Sequence, residues 1–577
     1  MARLASLNCT VMKYFCLGLI LSIMSANTWA QTYETENAVL VLTGAASLED
    51  LDEDTMDVFR HYSSHPLHIN VLSDKKLMSS GLFSRYQAAS LLDYRKRNGN
   101  VLSVMELSLV DGFDEKQAEA LSAFVSFDAR SLSETSSAGI SSDILYRTAG
   151  KCQNDESLWN YGAKIRIGDE SSWTFSFAAK SSYGKIKWPP ETASGSVGIF
   201  GRNGRWSAVV GDYNTRFGQG LLVWSGFSLS GAQSAASFSK HPAGLSSAWT
   251  MSPANVHRGV SADVSIGRTV VSCFWGIRSV SGVNATRYTV NGQIGLTALD
   301  AGRASADWRW SLGKTDFFGE FAMDFVNKAP AGVVGMTFNP EFRTRFSALA
   351  RYYDKSFDGK YSGGFRSSTK TSDECGLALG FDCKSLTVTA DAAFHPSKGT
   401  SQHKALVKYS PQVTERLLLS LKASSRFRPE DSFRWRNEIR SGATYTIIEG
   451  LSVTGCLDFC RCREWSWLAF GEGMYRKDTA PVSLSASARM TAFVVDDWDD
   501  RIYMYERDIP GAFSVPAYYG RGYSVSGVVS CKWNRLSVHA RFLTVEYPGM
   551  TERKPGKAEF KLQLVWNFQF HSRFDVG

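Results

Sequence analysis

Cys456, Cys460 and Cys462 share parity with Asp458, so a strand through them turns three thiols and a carboxylate to one face. That donor set suits a soft metal, although small thiols packed on a wall are the plainer reading. His61, His65 and His68 form a second grouping, in a segment where a solvated linker is expected rather than a metal site. Asp496, Asp497, Asp499 and Asp500 form a third, which reads as a solvated tip rather than a calcium loop because no ordered cage of oxygens accompanies it. No nucleophile elbow, zinc helix, phosphate loop or calcium-hand loop occurs. An enzyme is therefore not expected, a wall-borne Ser with His539 being the residual alternative, and no cofactor or metal is expected either.

Arg85, Arg95, Lys96 and Arg97 are a different kind of signal, cations able to contact phosphate. They lie in a stretch, residues 47–128, where helix formers dominate, Gly is sparse and apolar positions recur at helical spacing through Tyr86, Leu91 with Leu92, and Tyr94. Residues 68–125 open with Ile69-Asn70, offer a capped helix from Ser73 and a helix ending at Gly99, and close on a second hairpin, VDGFDEKQAEAL. This text resembles the tandem helix-hairpin-helix module of the ComEA competence proteins. In that family each hairpin reads Gly-hydrophobic-Gly, which lets backbone N–H groups approach a DNA phosphate.

Gly81 and Gly112 match the first Gly, and Leu82 and Phe113 the hydrophobic position, but Phe83 and Asp114 replace the second Gly. The resemblance implies Gly81, Leu82, Phe83, Arg85, Arg95, Lys96, Arg97, Gly112, Phe113, Asp114 and Lys116 as the DNA- or partner-binding set. A ring and a carboxylate now stand where phosphate would sit. Residues 31–130 also carry sixteen acids against nine bases, the wrong balance for a nucleic-acid binder. Docking of a protein partner or a structural role is the favoured use of the module.

The chain divides into four parts. Residues 1–30 form a secretory signal, with Arg3 and Lys13 before an apolar run from Tyr14 to Met24 and cleavage expected after Ala30. Residues 31–59 read as an acidic linker or helix, 60–130 as the tandem helix-hairpin-helix module in the periplasm, and 131–577 as an outer-membrane β-barrel. Beyond residue 30 no uncharged apolar run approaches the roughly 18 residues of a spanning helix, so any membrane passage must use strands.

From about residue 138 the hydrophobic period becomes two. Val482, Leu484, Ala486, Ala488 and Met490 alternate with Ser483, Ser485, Ser487 and Arg489, and Leu417, Leu419 and Leu421 alternate with Ser420 and Lys422. A soluble sandwich shows the same alternation. Long strands, aromatics near strand ends and the absence of a domain break favour a transmembrane barrel of about 18–24 strands, and a last strand ending at Phe570 resembles an outer-membrane assembly signal. A wall of that size encloses a lumen too wide for side chains alone to fill. Three irregular stretches, Gly211 to Phe227, Lys240 to Val260 and Asp508 to Tyr523, either fold inward or form ordinary surface loops.

With segments such as FGQGL and SVPAYYGRG, the layout resembles the helix-hairpin-helix outer-membrane proteins of Bacteroidota, which implies an architecture and a location but no activity. The expected fold is thus α+β and multidomain: a small all-α module, then a large antiparallel barrel. The expected function is a pore or transport component of a Gram-negative outer membrane whose periplasmic module docks a partner or gates the lumen. A DNA-uptake protein of ComEA type is the alternative. Expected partners are outer-membrane lipid, a periplasmic protein and, less well supported by charge, nucleic acid. The chain carries +8 overall; with Arg3 and Lys13 in the leader and −7 on residues 31–130, the barrel region holds +13, suited to a polyanion of any kind.

Overall fold

The computed structural model describes residues 31–128 and 140–570, apart from residues 154–155, 170–171, 187, 202–203, 227, 230, 341–342, 432–433 and 549–554. The expected leader and its cleavage point lie outside the described residues.

Period-two alternation becomes one closed antiparallel sheet. Twenty-six strands join it, but Gly244–Ser247 and Gln412–Thr414 are short side pairings, because their flanking strands also pair directly, which leaves 24 staves. Closure is made by the first strand, Ile140–Gln153, against the last, Lys557–Phe570, in register from Ile140 opposite Phe570 to Gln153 opposite Lys557. A closed ring has no unpaired edge.

The faces settle the choice that periodicity leaves open. Outward positions are apolar and exposed, among them Val210, Leu296, Phe321, Leu379, Leu457 and Met490. Inward positions are polar and buried, among them Ser272, Asn284, Glu320, Asp391, Glu472 and Arg541. A soluble sandwich would place them the other way round; this surface is that of a wall built to stand in lipid. Exposed aromatics gather toward both rims: Trp310, Phe338, Tyr445 and Trp533 at the rim holding Ile140 and Phe570, and Trp275, Phe394, Trp435 and Trp465 at the far rim.

Residues 31–128 form six helices: α1 (Gln31–Thr43), α2 (Glu53–Ser64), α3 (Asp74–Ser79), α4 (Arg85–Asn98), α5 (Val104–Ser108) and α6 (Glu115–Leu121). Among the described residues no helix is long and apolar enough to cross a membrane. The starts are set by caps: Ser73 on α3, Asp52 on α2, Ser103 on α5, and Ser84 on α4 in a capping box with Gln87. Ser73 and Gly99 bound α3 and α4 where the sequence places a start and a stop. These helices are too short to hold alone. They close over a shared core of Ile69, Leu77, Phe83, Leu91, Val101, Leu107, Leu121 and Phe124. Leu67–His68 pairs in parallel with Val125–Ser126, and Asn70 ties Val101 and Phe127, so the ends of the module are stitched together.

α2 runs through residue 60, and Met56 and Phe59 belong to the shared core.

Candidate functional site

The helical module is not a domain hanging outside the barrel. It lies in the lumen, bonded to the wall around most of its circumference. Glu53 meets Arg147 (3.3 Å), Asp57 meets Lys164 (2.6 Å), Glu119 meets Arg343 (2.7 Å), and Asp114 pairs with Arg345. Across the lumen Lys408 donates to the Ala46 carbonyl (2.8 Å), Lys422 to Ser47 (3.2 Å), and Arg440 pairs with Glu49 (2.6 Å). The acidic amino-terminal stretch is the polyanion that the basic barrel holds.

Burial raises the Glu49 carboxyl, but Arg440 and Lys422 outweigh it and hold the pKa at about 2. Asp54, which accepts from Thr250 (2.6 Å), moves oppositely: burial lifts it to about 6 despite Lys164.

From the far rim the three irregular stretches fold inward to meet the module. The Arg85 guanidinium lies 5.0 Å from the Phe217 ring of the first, Pro242 of the second accepts from the Arg85 N–H (2.9 Å), and Ala512 of the third accepts from Arg60 (3.3 Å); between the first two, the Ser234 hydroxyl donates to the Gly44 carbonyl (2.7 Å). Arg507 joins Glu36 on α1 to Glu472 on the wall (2.6 and 2.7 Å). Burial lowers Lys240, on the second inward stretch, to about 7, where Arg366 and Arg216 add repulsion. At the rim holding Ile140 a cavity of about 1260 Å³ remains between α1, α6 and the wall, lined by Asp114, Lys116, Glu119, Arg343, Arg345 and Lys408 among others.

The hairpin residues fall into three groups. Phe83 and Phe113 are buried in the module core with their rings 6.1 Å apart, Leu82 packs beside them, and Gly81 and Gly112 take positive φ (+76° and +87°) at the two hairpin tips. A Cβ on Gly112 would stand 2.8 Å from the Tyr86 ring. Arg85 and Asp114 face the wall. Arg85, 2% exposed, donates to Asp263 (2.9 Å), Ser272 (2.7 Å) and Asn284 (3.2 Å). Asp114 caps α6 by accepting from the Gln117 N–H (2.8 Å) while pairing with Arg345. Its carboxylate takes the place at a helix N-terminus that the family resemblance gives to phosphate. In the third group Arg95 donates to the Leu72 carbonyl (2.8 Å), Arg97 pairs with Asp93, Lys96 is exposed, and Lys116 lines the cavity.

The other groupings resolve differently from their sequence readings. Asp458 pairs with Arg440 (2.8 Å), and the thiols around it do not converge on a metal. Asp500 accepts the N–H groups of Cys462, Arg463 and Glu464, Asp496 pairs with Arg521 and Asp497 with Arg463, so the acidic patch holds loops together. His539 does meet a serine, Nδ1 lying 2.8 Å from Ser530 Oγ, but the charge it feels is that of Arg60, and among the described residues no carboxylate bonds to it as in a triad. His61 and His65 are half-buried against the wall rather than solvated, with Asp143 in place of His68 beside them. Burial keeps the His61 imidazole below its ordinary pKa, opposed by the Asp143 carboxylate. The wall residues that receive the module, Asp263, Arg345, Lys408 and Arg440, carry no local motif; the one signal for them was the opposite charge of the two parts of the chain.

Fold and site together define a closed β-barrel of membrane type whose lumen is filled by its own amino-terminal helices. No family model matches the chain, and no curated protein is similar to it in sequence. Among solved structures, the translocation pore of the P pilus usher PapC matches at TM-score 0.35 and 7% identity, over 75% of this chain and 100% of that one. OpdO of Pseudomonas aeruginosa matches at 0.31 and 10% identity, over 75% and 97%. OccAB3 of Acinetobacter baumannii matches at 0.29 and 8%, over 75% and 99%.

Proposed function

We propose that the chain is an outer-membrane transport pore gated by its own amino-terminal module. The observation that carries this reading is the seating of α1–α6 inside the barrel, held mainly by paired charges, with a small apolar contact of Tyr86 and Ala89 on Val270 and Tyr288 of the wall. Most of these pairs are buried and little screened by salt, so a plug held this way is released by neutralising or exchanging their charges rather than by ionic strength. The apolar exterior and the two aromatic belts support a lipid setting, and the signal expected at residues 1–30 supports export. The module's outward face presents Leu102, Met105 and Leu109, each about two-thirds exposed (65, 65 and 71%), a surface suited to a periplasmic partner that pulls or releases the plug.

Planar-bilayer conductance tests the reading. The full mature chain is expected to be closed or nearly so, and a chain lacking residues 31–128 to conduct steadily. Equal conductance from both, with each shown to be a folded barrel by heat-shifted gel mobility, removes the gating role. The DNA-uptake alternative keeps only Lys96 and Arg97 as exposed cations of the hairpin set. Duplex binding by the full chain across a salt series, lost on neutralising those two, is the result that would favour it.

A further inference from the structure

We propose that His61, His65 and Asp143 form a transition-metal site of the zinc class that fastens the helical module to the closing strand of the barrel. His61 lies in the last turn of α2 and His65 is its C-cap, whose N–H donates to the His61 carbonyl (2.9 Å), which brings the two rings together. The rings stack with centroids 5.1 Å apart. Asp143, on the strand Ile140–Gln153, faces them across the lumen boundary with Oδ2 3.2 Å from His61 Nδ1. One ligand atom from each of the three lies within 4.8 Å of the others. His65 Nδ1 is buried without a hydrogen-bond partner among the described residues, a polar atom whose desolvation nothing yet offsets.

Two imidazoles and a carboxylate are a common zinc donor set, bound at about 2.0–2.2 Å with the fourth position left to water. Bringing atoms that lie within 4.8 Å of one another to zinc-bond distances asks for adjustment of the two rings and the carboxylate at the end of α2. Trp249 lies edge-on to His61 at 6.3 Å, and Arg166 stacks over the same indole at 5.7 Å. The indole shields one side from water, while the guanidinium opposes a cation and keeps the affinity modest. A site of this kind joins plug and wall through coordinate bonds and is undone by a chelator.

The site stands on geometry alone; its effect on transport rests on the gating reading. Zn²⁺ is titrated into the folded full-length protein in detergent against a chromophoric chelator. One ion per chain is expected, with apparent affinity falling at least tenfold in His65→Ala and in Asp143→Asn and unchanged in His68→Ala. His65→Ala keeps the His61–Asp143 contact, so folding is preserved in that variant. Absence of one-to-one binding, or binding indifferent to His65→Ala, overturns the site. Conductance recorded with Zn²⁺ and then with chelator separates the two proposals. Binding without any change of current leaves the site standing and counts against gating, whereas a module-dependent current with no zinc binding does the reverse.

Discussion

Asp114 shows how one substitution redirects a motif. In a hairpin built for DNA this position holds a glycine so that a phosphate can reach the helix amides. Here the chain supplies its own anion, which caps α6 and reaches Arg345 on the wall. Asp114→Asn keeps a good cap and loses the ion pair, whereas Asp114→Ala loses both. By limited proteolysis and thermal melts, Ala is expected to destabilise the module by about 1 kcal/mol more than Asn does. Arg85 is the harsher case. Replacing it with Met strands the Asp263 carboxylate, itself buried, and breaking a buried pair costs about 3–5 kcal/mol. Asp263→Asn added to that variant should recover much of the loss; no recovery would mean that Arg85 acts through packing on Phe217, over which its guanidinium lies at 5.0 Å.

Between elements, the attachment of α1–α6 to the wall is electrostatic, and its pH dependence follows from Glu49. Its folded pKa, about 2, lies below the ordinary 4.5, so the stabilisation is fully present above about pH 4.5 and is lost as pH falls toward 2. Acid-dependent onset of conductance over that window is the expected result, and it should shrink in Arg440→Gln, which removes the larger of the two cations that depress the pKa. A charge swap checks the same contact at neutral pH. Glu49→Arg alone should open the pore, and Glu49→Arg with Arg440→Glu should close it again at least in part.

What the sequence made legible divides at this scale. Period-two segments such as Val482 to Met490 and Leu417 to Leu421 became staves with the expected sidedness, and Ser73 and Gly99 became helix ends, because both depend on local spacing and backbone geometry. The seat of the module was not legible, because short helices with one apolar side state that they pack and not against what. Arg85 has the same appearance in a sequence whether it meets a phosphate or Asp263. Only the sum of charges, −7 on one part and +13 on the other, held the information, and it was open to any polyanion until Glu49, Glu53 and Asp57 were seen to be that polyanion.

For the molecule as a whole, the strand that closes the ring is also the one to which α2 is tied. Ile140–Gln153 zips to Lys557–Phe570 along fourteen paired residues, and on its inner side Asp143 and Arg147 receive His61 and Glu53. The helices leave the ribosome before any stave, yet their anchor strand cannot finish pairing until the last stave has been made. Filling and sealing therefore share one late event during biogenesis, and a ring that seals early seals without its contents. Refolding from denaturant should reveal this: at about 1 M salt, where the Debye length falls to about 3 Å, a growing fraction should emerge as heat-resistant but protease-clipped rings whose helices never entered, and adding salt after refolding should produce far fewer of them. A secreted chain of this design would then owe its correct assembly to the low ionic cost of keeping an acidic amino-terminal module close to a half-built basic wall.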